Sequence, residues 1–188
     1  MSLKKDKFNK KDKFYMNLAI NLAKERIGLT GNNPSVGCVI VKNDQIVSTG
    51  QTSLKGRPHA EFNAISKCNV SLKNATMYVS LEPCSHIGKT PPCTKLIIKN
   101  KIKKLFYAIN DIDKRSGNKA YKILNKKKIL VSKFLLKKRA KDVYKSYFFS
   151  RSKNLPYVIG KIACSKDHYS FYKDKIITNE YSRSISHL

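Results

Sequence analysis

Two runs decide the reading of this chain: PHAEFNA at Pro58–Ala64 and SLEPCSHIGKTPPCT at Ser80–Thr94, with the strand-like ATMYVSL at Ala75–Leu81 leading into the second. They supply an imidazole, His59, two thiols, Cys84 and Cys93, and a carboxylate, Glu61, two residues after the imidazole. One nitrogen and two sulfurs are a borderline-soft donor set that suits Zn²⁺ better than Mg²⁺ or Ca²⁺. Catalytic zinc sites commonly take three protein ligands and leave a fourth position for water, so three donors already make a coherent site. Glu61 is too near His59 in sequence to be an obvious second ligand. It is expected to face the fourth position, where a carboxylate can take a proton from water and pass it to a leaving amine. The competing reading is a closed, structural zinc site, which needs His86 or a distant cysteine as fourth ligand.

Working outward, Ala60, Ala64 and Ile65 recur as in a helix from His59 to about Cys68, and Pro92 suits the first turn of the next, which runs through Leu96–Ile98. His59 and Cys93 then begin successive helices, where free amide hydrogens would favour Cys93 as a thiolate. Upstream, Asp12 caps a helix from Lys13 whose apolar positions are Phe14, Tyr15, Leu18, Ala19, Leu22 and Ala23, with Gly28 placed to end it. VGCVIV at 36–41, a turn at Lys42–Gln45 and a returning strand at Ile46–Gly50 predict a hairpin. Downstream follow a strand at Leu105–Ile109, a helix at Asn118–Lys126 and a short strand at Lys128–Val131. This alternation predicts a three-layer α/β fold with a mixed, mostly parallel five-stranded sheet flanked by helices. The loops after Leu81 and Ile109 then fall at carboxyl ends of strands, where such sheets gather functional residues.

The expected organisation is a disordered basic arm at 1–11, the zinc domain at 12–132, a basic connecting segment at 133–155 and a further piece at 156–188. Residues 133–150 of the connecting segment can form a helix that packs Phe134, Leu135, Val143 and Tyr147, and Arg151–Leu155 reads as a boundary. In the last piece PYVIGKIACS reads as a strand and Thr178 as the cap of a helix. A formal charge of +27, from 39 Lys and Arg against 12 Asp and Glu, raises a polyanion as partner. The lysines are spread from Lys4 to Lys175, however, with short clusters at Lys126–Lys128 and Lys137–Arg139. A solvated face is the reading that distribution favours, so no nucleic-acid partner is expected. Five cysteines, an odd number, argue against a disulfide framework, and Cys38, Cys68 and Cys164 are read as structural. No run approaches the roughly 20 apolar residues of a membrane span, and the N-terminus lacks the apolar part of a secretory signal; a cytoplasmic protein without membrane contact is expected.

The chain resembles the deaminase half of the bifunctional riboflavin-biosynthesis deaminase/reductase family. The resemblance lies in YMNLAINLA at Tyr15–Ala23, NPSVGCVIV at Asn33–Val41, GRPHAEFNA at Gly56–Ala64 and EPCSHIGKTPPC at Glu82–Cys93. The last run is the most specific, because cytidine and transfer-RNA adenosine deaminases usually space their cysteines as PCxxC. The resemblance implies a cytidine-deaminase-like fold, Zn²⁺ on His59, Cys84 and Cys93, and Glu61 as proton shuttle. It also implies substrate contacts from Asn33, His86, Lys89 and Asp111, with Lys89 as an anion contact in the pocket wall. The implied reaction is hydrolytic deamination of 2,5-diamino-6-(5-phosphoribosylamino)pyrimidin-4(3H)-one, so the expected partner is a phosphorylated pyrimidine; a homo-oligomer is expected, and a separate reductase is left open.

The chain departs from the family pattern at Thr52, where histidine is often found, and at Ile112 and Asp113, where proline and asparagine are frequent. Pro156–Asp167 and IITNEYSRSISHL at 176–188 resemble the start of the family's reductase domain, including Lys161 and Thr178. With the remainder of that domain missing, no NADPH-dependent reduction is expected from this chain alone. Two rivals stand beside this reading. A nucleic-acid base deaminase is favoured by the charge and disfavoured by the cysteine spacing. A basic RNA-binding protein on an inactive deaminase fold is disfavoured by Glu61 standing with a complete ligand set.

Overall fold

Asn43 and Asp44 both take positive φ, 50° and 61°, a conformation that short polar side chains tolerate. Their two-residue turn folds β1 (Gly37–Lys42) onto β2 (Gln45–Gln51) as an antiparallel hairpin. The computed structural model describes residues 8–88, 90–169, 171, 172, 175, 176, 178–181 and 184. The chain divides into one unit up to Leu155 and a second from Pro156. The first unit holds a five-stranded sheet of order β2-β1-β3-β4-β5, with β3 at Thr76–Val79, β4 at Lys104–Tyr107 and β5 at Leu130–Lys133. β1 pairs antiparallel with both β2 and β3, whereas β3, β4 and β5 are mutually parallel. Four strands therefore point one way and β1 alone runs against them, which is the mixed, mostly parallel sheet expected.

Helices cover both faces. α1 (Lys10–Lys24) lies over β1 and β3 with α5 (Lys137–Val143) beside it, while α2 (Ala60–Ser66) lies over β2 and joins α3 (Cys93–Lys99) and α4 (Ala120–Lys126). Two glycines allow this close stacking from opposite sides. A Cβ on Gly37 would stand 2.0 Å from the Ala19 carbonyl oxygen of α1, and one on Gly50 would stand 2.3 Å from the Ala60 carbonyl oxygen of α2. Gly50 pairs with Cys38, the neighbour of Gly37, so the two glycines face opposite layers. Between the layers Met16, Ile20, Val39, Ile40, Met77, Leu105 and Leu124 are fully buried.

Several boundaries differ from the sequence expectation. α1 starts at Lys10 because Asn9 is its cap, the side chain accepting from the Asp12 amide at 2.7 Å; Asp12 instead accepts from the Tyr78 hydroxyl at 2.7 Å. Of the supposed arm, residues 1–7 lie outside the described ones and Lys10 and Lys11 are helical. The inward stripe of α1 is Tyr15, Met16, Ala19, Ile20 and Ala23, leaving Phe14 62% exposed. The helix expected over 133–150 is instead two, α5 and α6 (Lys145–Lys153), and α6 runs into the boundary expected from Arg151. Positive φ at Phe134 and Leu136 turns the chain between β5 and α5, so Leu135 is buried with Val143 and Tyr144 while Phe134 faces outward.

In the second unit Val158, Ile159 and Ile162 are exposed and PYVIGKIACS pairs with no described strand, so it is not one. A short antiparallel pair, β6 (Phe171–Tyr172) and β7 (Lys175–Ile176), follows it. Glu180, Tyr181 and Ser184 are helical, and 182–183 and 185–188 of the expected helix lie outside the described residues. Cys38 is buried and Cys68 half-buried as structural thiols would be, but Cys164 is exposed. No described helix is long and apolar enough to cross a membrane.

Gly50→Ala drives a methyl group into the first turn of α2 and is expected to cost about 1–3 kcal/mol in urea unfolding. Because that turn carries His59 and Glu61, bound zinc per chain is expected to fall with it; unchanged stability and zinc content would show that α2 can retreat freely.

Candidate active site and metal centre

Strand direction decides where the loops meet. With β1 reversed, the loop before it reaches the same edge of the sheet as the loops after β2, β3 and β4. These four loops carry Asn33, His59, Cys84 and Asp111, and all four residues line one cleft of about 550 Å³ counted out to its open mouth. His59 is the N-cap of α2 with extended backbone (φ −73°, ψ 161°), which places Glu61 in the first turn, pointing inward and 3% exposed. Pro92 is the N-cap of α3 rather than a first-turn residue, because its ψ of 141° is extended; Cys93 is therefore the first helical residue.

The donors converge. His59 Nδ1 lies 3.6 Å from Cys84 Sγ and 3.5 Å from Cys93 Sγ, and one ligand atom from each residue lies within 4.8 Å of the others. A tetrahedral zinc with Zn–N of about 2.0–2.1 Å and Zn–S of about 2.3 Å requires N···S edges of about 3.6 Å. The residues present fit that ion. His86 does not close the site: its Nδ1 is bonded to Ser116 Oγ at 2.7 Å, and it is absent from the donor cluster found among the described residues. Three donors with a buried carboxylate beside them make an open site.

The sulfurs are unequal. The Cys93 thiol, the His59 ring and the Cys93 amide, whose N–H donates to Cys84 Sγ at 3.3 Å, hold the Cys84 thiol down to about 4 in spite of its burial. Cys93 is pushed well up, first by the neighbouring Cys84 sulfur and then by burial. The amide at the start of α3 thus serves Cys84 rather than the side chain of its own residue. His59 is raised, chiefly by its bond to Cys84. Burial, and then the negative Cys84, push Glu61 up to about 7, with His59 opposing.

Among the expected substrate residues, the Asn33 side chain donates to the Gly56 carbonyl at 3.0 Å, and the Asp111 Oδ1 accepts from the Asp113 amide at 3.1 Å and the Tyr147 hydroxyl at 3.1 Å. Burial raises the Asp111 carboxyl. Lys89 lies outside the described residues. Asp113 is clasped by the Arg115 guanidinium, at 2.6 Å from Nη2 to Oδ2, which holds its carboxyl well below the usual range and gives the loop a charged closure of its own. Thr52 is structural, its hydroxyl accepting from the Val36 amide at 2.9 Å and donating to the Pro34 carbonyl at 3.2 Å.

The sequence reading missed Glu82, Arg57, Arg115, Tyr147 and Arg151, all of which line the cleft. Glu82 had a signal: a carboxylate ending an apolar strand must be buried with partners. It accepts from the amides of Asp111 at 3.2 Å, Asn118 at 2.9 Å and Ala120 at 3.1 Å. The other four had none, since their places depend on how distant loops fold together.

Comparison with known proteins sets the class. The family description "cytidine and deoxycytidylate deaminase zinc-binding region" matches residues 9–109. Riboflavin biosynthesis protein RibD of Bacillus amyloliquefaciens is 41% identical over 175 residues, covering 92% of this chain and 47% of that one. The diaminohydroxyphosphoribosylamino-pyrimidine deaminase of Buchnera aphidicola subsp. Schizaphis graminum is 40% identical over 146 residues, 78% of this chain and 99% of its own. The structure of the deaminase/reductase from Thermotoga maritima superposes with a TM-score of 0.83 at 34% identity, over 94% of this chain and 52% of that one. The chain belongs to the riboflavin-biosynthesis deaminase family within that zinc-binding class, and it spans about half the length of the RibD relatives it matches.

Two substitutions separate metal holding from loop holding. Cys84→Ser is expected to lose most bound zinc, measured by elemental analysis, together with thermal stability. Glu82→Gln is expected to keep zinc but lose about 1–3 kcal/mol in denaturant, because its amide group cannot accept on both sides from three N–H donors.

Proposed function

We propose that this chain hydrolyses the 2-amino group of 2,5-diamino-6-(5-phosphoribosylamino)pyrimidin-4(3H)-one, releasing ammonia and 5-amino-6-(5-phosphoribosylamino)uracil for riboflavin biosynthesis. The observation that carries the reading is the convergence of His59, Cys84 and Cys93, with buried Glu61 beside them. The proposed cofactor is Zn²⁺, for which His59 Nδ1 and the two sulfurs are the ligands; when bound, it supplies Lewis-acid activation of water at the fourth position. Glu61 takes a proton from the attacking water as oxygen bonds to ring C2, and returns it to the departing amino nitrogen as the C–N bond breaks. Asn33, His86 and Asp111 orient the substrate from the walls. The Buchnera relative, named as a deaminase and matched over 99% of its length, supports a deaminase unit of this size. A reducing, cytoplasmic setting suits the two sulfur donors among five free cysteines.

Ammonia release by zinc-loaded protein tests the proposal, with Glu61→Gln alongside. The parent is expected to turn over, and the variant to keep its zinc while losing at least about 100-fold in kcat. Equal activity in the variant would remove Glu61 from the role, and a zinc-loaded parent without turnover would overturn the substrate.

A further inference from the structure

The matched zinc-binding region ends at residue 109, yet a wall of the cleft comes from α6, more than thirty residues beyond it. α6 is tied to two rims at once. Its Tyr147 hydroxyl donates to Asp111 Oδ1 at 3.1 Å on the loop after β4. One turn on, Arg151 Nη2 donates to the Asn32 carbonyl at 3.1 Å, next to Asn33 on the loop before β1. The Arg151 guanidinium also stands 5.8 Å from the centre of the Tyr147 ring, so the two tethers brace each other.

The consequence falls on Asp111. Its Oδ1 receives both the Tyr147 hydroxyl and the Asp113 amide, from different elements. Two donors converging on one oxygen fix the rotation of the carboxyl group, and with it the direction of the acceptor offered to the cleft. A pinned, half-buried acceptor selects ligands that bring a hydroxyl or amino hydrogen to that point and rejects those that do not. We propose that Tyr147 is a positioning residue for substrate recognition, aiming Asp111 at a donor group of the ribosylaminopyrimidine, with α6 as a wall of the binding site. This rests on the reading above, in which Asp111 meets the substrate.

The test is calorimetric binding of the diaminopyrimidine ribosyl phosphate to zinc-loaded chains carrying Glu61→Gln, which stops conversion during the titration, alone and with Tyr147→Phe, Asp111→Ala or both. Tyr147→Phe keeps the ring and its packing and is expected to weaken binding about 2- to 10-fold, with zinc content unchanged. Asp111→Ala is expected to weaken it further, and Tyr147→Phe to add nothing in that background. In turnover the phenylalanine variant should raise KM and leave kcat in place, a split that can be read whether or not Asp111→Ala folds. An unchanged affinity for Tyr147→Phe, or an equal loss with Asp111 already removed, overturns the positioning role while leaving the deaminase reading intact. A parent that neither binds nor converts the ligand overturns both.

Discussion

A single buried carboxylate holds the two main loops of the site together. Glu82, 3% exposed, receives amide hydrogens from Asp111, Asn118 and Ala120, so the turn after β3 is fastened to the loop after β4 and to the start of α4. These amides have no strand or helix partner where they stand, and a carboxylate is the compact group able to take three of them. Burial raises the Glu82 carboxyl, while the three amides pull the other way. Cys84 lies two residues beyond Glu82, so the position of the metal donor follows from the same anchorage.

A second buried polar chain secures the opposite layer. The Tyr144 hydroxyl is 2.6 Å from Ser80 Oγ, which also accepts from the Gly37 amide at 2.9 Å. One serine thereby joins the end of β3, the start of β1 and the turn between α5 and α6. The placement of α6 over the cleft is inherited from this packing, since Tyr144 immediately precedes that helix. At the far edge of the sheet the fastening is different in kind: Tyr15 donates to the Asp44 carbonyl at 2.8 Å, and Tyr78 stacks on Phe106 with centroids 4.9 Å apart.

How much of this was legible depended on the range of the forces involved. The strands, the hairpin and the helices at His59 and Cys93 follow from local periodicity and turn chemistry, and the sheet class follows from their alternation. The donor set was legible because its residue types are rare and closely spaced in two runs. The inward face of α1 was not, since Phe14 and Met16 are both apolar and only the position of β1 and β3 decides which is covered. Asn9 outcompeted Asp12 as the cap because Tyr78, 66 residues away, engages the Asp12 carboxylate. Tyr147 could be seen as a packing residue but not as a partner of Asp111, because that pairing joins segments 36 residues apart through the folded sheet.

The close approach at Gly37 and Gly50 also sets where this protein can accept a change of side chain. The lysine-rich exterior, with 39 Lys and Arg against 12 acids, makes few steric demands, because most of its side chains end in solvent. Inside, two hydrogens in place of side chains set the thickness of the layers on either side of the sheet. At those two points any side chain meets helix backbone, so a change tolerated almost anywhere on the outside would there have to move a whole layer.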